Sequence, residues 1–238
     1  RSWLADHDFA FKERSQGNSL TEGELPMSAA EVWTWNIEEF LNQAASSAPT
    51  PGGGSISAYA GALGASMVCM VANLTIGKPK YRDVEDQVKE ILARAEQTLA
   101  ALKRGLTSDI EEFSNFMEVY KLPKSTEEEK ALRAEKLQVV LRSATEVPLN
   151  IARNCLEVLK LARELAPIGN KSAISDVGVA AYLAEGALKA AMFSVDINLP
   201  QISDETYRSN VLEERERLFA ESTKLKDETV KIVSERLV

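Results

Sequence analysis

The sequence predicts an all-α fold, an antiparallel multi-helix bundle whose central helices are buried and built from small residues. Three observations lead there. Apolar residues recur at steps of three and four along most of the 238 residues. Nothing reads as a strand of more than a few residues. Two stretches, 57–76 and 173–195, are almost uncharged and rich in Ala, Gly and Ser, as expected of helices enclosed on all sides. A chain of this length with 45% hydrophobic residues buries a full core. No Pro/Gly/Ser-rich linker interrupts the pattern after residue 30, so residues 31–238 are read as one helical domain. Residues 1–30 are read as an N-terminal arm or an expression remnant, since 1–26 are polar and carry Gly17, Gly23 and Pro26, and Met27 is a natural start.

The elements follow in order. Asn36 and Glu39 make a capping box for a first helix, with Ile37, Phe40 and Leu41 as its stripe and Pro49 as its limit. The turn Thr50-Pro51-Gly52-Gly53-Gly54-Ser55 feeds a second helix over 57–76. A third spans 84–103. A fourth carries Leu106, Ile110, Phe113, Met117 and Tyr120 and stops at Pro123. Ser125 and Glu128 cap a fifth, Pro148 separates it from a sixth, and Pro167 ends that one. After Ile168-Gly169-Asn170 comes the second small-residue helix, with Glu185 and Lys189 as an ion pair one turn apart. The last helix, 204–237, is charged on one side and belongs on the outside.

Composition excludes several classes. A net charge of -8 argues against nucleic-acid binding, which needs clustered Lys and Arg. The sole histidine, His7, lies in the arm, so neither a His base nor a Glu-x-x-His metal site is expected. Cys69 and Cys155 stand in apolar helical patterns without CxxC spacing and read as buried free thiols suited to a reducing cytoplasm. The uncharged run from Phe40 to Gly77 is long enough for a membrane span, but it is dominated by Ala, Gly and Ser and broken by Pro-Gly-Gly-Gly, so no membrane is expected.

Acid-base chemistry then falls to carboxylates, Lys or Tyr. The amides of Gly52, Gly53, Gly54 and Ser55 at a helix start suit an anion, although a Gly-rich turn that merely packs against a neighbour accounts for them equally. Asn73, Lys78, Lys80 and Tyr81 gather an amide, two cations and a phenol behind the second helix, where a solvated C-terminus complementing the dipole also explains the lysines. Asp109 shares a helix face with Phe113, Phe116 and Tyr120. A carboxylate beside apolar surface has its pKa raised, whereas a solvated first-turn Asp would not. Asn170, Ser175 and Asp176 open the second small-residue helix and Asp196 and Asn198 close it, positions that caps and turns also use.

The run Ser46-Ser47-Ala48-Pro49-Thr50-Pro51-Gly52-Gly53-Gly54-Ser55, the segment Met70-Val71-Ala72-Asn73-Leu74-Thr75-Ile76-Gly77-Lys78 with Lys80-Tyr81, and Asp109, Phe113 and Tyr120-Lys121-Leu122-Pro123-Lys124 resemble the cyclodeaminase/cyclohydrolase family. So do Ala144-Thr145-Glu146-Val147-Pro148-Leu149, Gly169-Asn170, Ser175-Asp176 and Ile197-Asn198-Leu199. These stand in the family's order over roughly residues 34–236, with departures at Thr107 and Pro79. The resemblance implies an all-helical homodimer or higher assembly acting on a tetrahydrofolate derivative, with no tightly bound cofactor and no metal. It implies either a methenyltetrahydrofolate cyclohydrolase, which adds water to give 10-formyltetrahydrofolate, or a formiminotetrahydrofolate cyclodeaminase, which releases ammonia. A non-catalytic helical adaptor is the competing class. On the enzyme reading Asp109 and then Asp176 move protons, Asn73 and Asn198 bond the pterin or bridge, and Lys78, Lys80 and the amides of 52–54 hold the glutamate carboxylates. The two slim helices are expected to gather Gly53, Asn73, Asp109 and Asp176 round one pterin, within a chain or across neighbouring protomers.

Overall fold

The computed structural model describes residues 29–238, Ala30 by its backbone alone. The chain divides into two units, residues 1–34 and 35–238. In the first unit, Ala29–Thr34 form a 3-10 helix, and the rest of the arm lies outside the described residues.

The second unit holds six α-helices: α1 (Ile37–Ala45), α2 (Gly53–Thr75), α3 (Glu85–Tyr120), α4 (Glu127–Leu165), α5 (Ile174–Asn198) and α6 (Glu205–Leu237). Short 3-10 turns lie between them, and no strand occurs among the described residues. The all-α prediction holds, but eight predicted helices become six. The third and fourth merge into α3, and Gly105, between them, allows a close approach of α4: a Cβ there would stand 2.9 Å from Ile151 Cγ1. The fifth and sixth merge into α4, with Pro148 inside it and buried. A proline in mid-helix strands the carbonyl four residues back. That carbonyl belongs to Ala144, and Asn198 Nδ2 donates to it at 3.0 Å from the end of α5.

Caps fix where the helices start. Asn36 and Glu39 form the predicted reciprocal box on α1. On α4 the box is Thr126 with Glu129, one residue beyond the expected Ser125 and Glu128. The sequence Ser-Thr-Glu-Glu-Glu offers both registers, and the chosen one lets the Glu129 carboxylate accept from the Ser125 and Thr126 amides together, at 2.7 and 3.1 Å. At the far end of α4, Arg236 donates to the carbonyls of Ala166 and Gly169 at 2.5 and 2.7 Å, satisfying acceptors that the helix leaves open.

α2 packs on α3 and α5, and α5 also packs on α4 and α6. Small residues make this possible: a Cβ on Gly64 would meet the Ala180 carbonyl at 3.2 Å, so the backbones of α2 and α5 nearly touch. Ala58, Ala65, Val68 and Ala72 of α2 and Ala180, Ala181 and Ala184 of α5 are all buried. By length and composition α2 is apolar enough to cross a membrane, but most of its apolar window is buried against its neighbours. Ion pairs stitch the outer helices: Arg94 grips Glu157 and Glu164, Arg153 binds Glu214, and the predicted Glu185–Lys189 pair sits beside Thr223 of α6. Each keeps at least one partner well exposed and contributes on the order of 1 kcal/mol or less.

Candidate active site

α2 begins without a cap of its own. Gly52 at the N-cap has no side chain to accept from the first turn, so the amides of that turn need another acceptor. α3 supplies it. Ser55 Oγ donates to Asp109 Oδ2 at 2.6 Å, and the Ser55 amide also bonds the carboxylate, which therefore caps α2 from a neighbouring helix. Only glycine permits this at position 54, since an added Cβ would lie 2.0 Å from Asp109 Oδ1. Where the sequence suggested a cradle for a ligand anion from Gly52 to Ser55, the group against Gly54 and Ser55 is the protein's own carboxyl.

Burial pushes the Asp109 carboxyl above the usual aspartate range, and the two Ser55 hydrogen bonds oppose that shift without cancelling it. Asp109 thus combines fixed orientation with a raised proton affinity, properties that suit a group exchanging protons with a ligand. One turn on, Glu112 accepts from Ser143 of α4. The sequence reading passed over this second carboxylate, although its i,i+3 spacing from Asp109 was visible. Phe113, Phe116 and Tyr120 continue along α3, the last two stacked at 6.0 Å.

The remaining predicted residues divide by position. At the start of α2, alongside the end of α5, Gly53 is exposed and Gly52 half-exposed. Asn198 is engaged with Ala144. Asp196 Oδ1 lies 3.2 Å from Arg215 Nε without the alignment of a hydrogen bond, so charge alone holds that pair. At the end of α2, Asn73, Lys78 and Lys80 are exposed. Asn170 is largely committed to the fold: its Nδ2 donates to the Leu74 carbonyl at 2.7 Å and its amide to Thr75 Oγ1 at 2.9 Å, while its Oδ1 accepts from the Ser172 amide at 3.0 Å. The Tyr81 hydroxyl accepts from the Lys171 amide at 2.9 Å, pinning the same loop. Ser175 is exposed and Asp176 half-buried in the first turn of α5, and Asp176 has no hydrogen bond or ion pair among the described residues.

The structure therefore makes two clusters rather than one. α2 and α5 run antiparallel, so Gly52, Gly53, Gly54, Ser55, Asp109, Asp196 and Asn198 lie at one end, and Asn73, Lys78, Lys80, Tyr81, Asn170, Ser175 and Asp176 at the other. Eighteen residues of continuous helix separate Ser55 from Asn73, about 27 Å at the α-helical rise. The expected gathering round one pterin does not occur within a single chain. A groove of about 180 Å³ between α3 and α4, lined by Arg104, Ser108, Asn150 and Asn154, contains none of these residues.

Fold and site together define a helical bundle organised round a part-buried carboxyl group that caps a glycine-rich helix from the side. The sequence model described as Formiminotransferase-cyclodeaminase matches residues 36–217. The chain is 46% identical over 198 residues to a methenyltetrahydrofolate cyclohydrolase of Methylorubrum extorquens, covering 82% of this chain and 95% of that protein. It is 33% identical over 183 residues to a formimidoyltransferase-cyclodeaminase of Gallus gallus, covering 77% of this chain but 34% of that longer protein. A crystal structure of a formiminotetrahydrofolate cyclodeaminase from Thermotoga maritima superposes with a TM-score of 0.78 at 33% identity, covering 86% of this chain and 98% of that one. The chain belongs to the formiminotransferase-cyclodeaminase family.

Proposed function

We propose that this protein is a folate one-carbon enzyme, a methenyltetrahydrofolate cyclohydrolase that adds water to the bridging carbon and yields 10-formyltetrahydrofolate. The observation that carries the reading is the 46% identity to a protein of that name, sustained over 95% of its length. In the reaction the water oxygen bonds to the cationic carbon between N5 and N10, and the water gives up a proton. The hydroxyl of the tetrahedral intermediate then loses its remaining proton as the formyl C=O forms and the C–N5 bond breaks, N5 takes up one proton, and of the two protons that leave the water one is released overall. Asp109 suits the proton traffic: as a carboxylate it accepts from water and offsets the cationic bridge, and as an acid it protonates N5. Ser55 and Gly54 keep it in place. Asp176, Asn73, Lys78 and Lys80 are proposed to contact the substrate as a second carboxylate, an amide donor and two carboxylate-binding cations.

One observation favours a second reading, a formimidoyltetrahydrofolate cyclodeaminase that closes the ring and releases ammonia: the solved structure covered over 98% of its chain is that of a formiminotetrahydrofolate cyclodeaminase. Both reactions pass through a tetrahedral carbon in the same bridge, so one carboxyl serves either. A single assay separates them. The cyclohydrolase reading expects the methenyl absorbance to decay in the presence of the protein. Appearance of that absorbance from the formimino compound, with ammonia and without the decay, overturns it in favour of the cyclodeaminase.

We also propose a homodimer or higher homo-oligomer, working without a tightly bound cofactor in a reducing, cytoplasmic setting. Support for the setting comes from the thiols: both are unpaired, and burial pushes Cys69 up to about 11 and Cys155 up to about 12, which leaves them protonated and unreactive.

A further inference from the structure

α3 carries two carboxyl groups, Asp109 and Glu112, three residues apart and so neighbours on one helical face. Their surroundings differ from those of the other part-buried acids on the long helices. Glu157 and Glu164 face Arg94, Glu146 and Glu214 face Arg153, and Glu221 and Glu228 face Lys160 and Arg163. Glu129 and Asp176 lack a cation but stand in first turns, where open amides and the helix dipole answer their charge. Asp109 and Glu112 lie well inside α3, half-buried, with no ion pair to either among the described residues.

Each is held by a hydroxyl instead. Ser55 of α2 donates to Asp109 at 2.6 Å, and Ser143 of α4 donates to Glu112 Oε2. The second oxygen of Glu112, Oε1, has no hydrogen bond among the described residues. The backbone beside Ser143 is itself fixed, because Asn198 at the end of α5 donates to the Ala144 carbonyl. A carboxylate drawn partly out of water without a cation carries a desolvation cost, and a tie between helices does not require one, since a neutral acceptor serves as well. Such a group points to chemistry rather than scaffolding.

Resting on the folate-enzyme reading above, we infer that Glu112 is a second acid-base residue of the site, the partner of Asp109 in moving the protons of the added water. The reaction needs a base as water attacks the bridging carbon and an acid as the C–N5 bond breaks. Burial favours the protonated form of Asp109, which suits the acid. Glu112 takes the first water proton on its open oxygen while the O–C bond forms, and later passes that proton to solvent. Asp109 gives its proton to N5 as the C–N5 bond breaks and regains one from the hydroxyl as the formyl C=O forms. Both carboxyls end as they began, with one proton released. Two carboxyl groups in unlike surroundings divide acid from base in this way.

Glu112→Gln tests this on the full chain, because its amide oxygen still accepts from Ser143 but takes no proton. Its kcat for the methenyl substrate is expected to fall about 100-fold, with KM within about twofold of wild type and the melting temperature unchanged. Ser143→Ala does the reverse, breaking the tie and keeping the carboxyl, so it should lose far less, about threefold to tenfold. Turnover of Glu112→Gln within about threefold of wild type overturns the inference, as does a loss in Ser143→Ala equal to that in Glu112→Gln, the mark of a structural tie. Glu112→Ala in sodium formate gives a readout independent of the tie: the added carboxylate is expected to raise turnover about fivefold or more, and no response contradicts a proton-accepting role. Absence of wild-type turnover on both folate substrates would instead overturn the folate reading itself.

Discussion

The two ends of α2 solve the same problem, terminating a buried uncharged helix, in opposite ways. At its start, bare glycine amides borrow a carboxylate from α3, and the result is a closed, hydrogen-bonded Asp109. At its end, Asn170 and Tyr81 spend their polar groups on the loop backbone, leaving Asn73, Lys78 and Lys80 in solvent. The first end is preorganised chemistry with a strained electrostatic balance. The second is a stable scaffold with exposed contacts. Proton transfer belongs where burial has raised a pKa, and ligand capture belongs where amides and ammonium groups remain uncommitted.

The contrast is most sharply broken at Asp109. Asp109→Asn is expected to reduce turnover by about 100-fold or more, the scale of a lost general acid or base, with far-ultraviolet dichroism unchanged. Retention of more than half the wild-type rate would remove Asp109 from the chemistry. Because the folded carboxyl holds its proton more tightly than the unfolded one, the folded state binds extra protons between the two pKa values. Stability therefore falls as pH rises through that window, starting at the ordinary aspartate value. Asp109→Asn should abolish that fall and melt no lower than wild type at neutral pH. Melting curves across the acid range check the sign.

Gly54→Ala comes next. Its Cβ would occupy the space of the Asp109 carboxylate, so the variant should lose about 1–3 kcal/mol of stability and most of its turnover together. Denaturant titration and initial rates measure both, and a fully active, equally stable Gly54→Ala would contradict the close approach. Ser55→Ala removes one hydrogen bond to the carboxylate, so it should cost about 1–2 kcal/mol and move the limb of the pH–rate profile assigned to Asp109 to higher pH. At the opposite end, Asn170→Ala strips donors and acceptors from Leu74 and Ser172 and should cost about 1–2 kcal/mol, read in denaturant midpoints. Lys78→Ala and Lys80→Ala are the mildest for folding, within about 0.5 kcal/mol, and their effect should appear in KM for the folate.

Much of this architecture was legible beforehand. Period and composition announced the two enclosed helices, because an Ala- and Gly-rich stretch without charge has nowhere to go but the interior. The box on α1 was readable because Asn36 and Glu39 satisfy each other locally. Where tertiary structure supplies the missing partner, local rules misled. Pro148 reads as a break until Asn198, fifty residues later, takes the carbonyl that it strands. Asp109 was visible as a carboxylate on an aromatic face, yet its role as the cap of α2 depends on a contact across 54 residues that no local pattern encodes. The division of the candidate residues between two ends was equally hidden, since it follows from the antiparallel course of α2 and α5 and not from the residues themselves.

The central claim is that burial makes Asp109 a proton-exchanging group poised above an ordinary aspartate. Carbon-13 NMR titration of side-chain carboxyls in the full-length protein, with Asp109→Asn used to assign the resonance, measures it directly. The account predicts a midpoint for Asp109 above the ordinary aspartate value of 3.8, shifting further upward in Ser55→Ala. A midpoint at or below that value would contradict it.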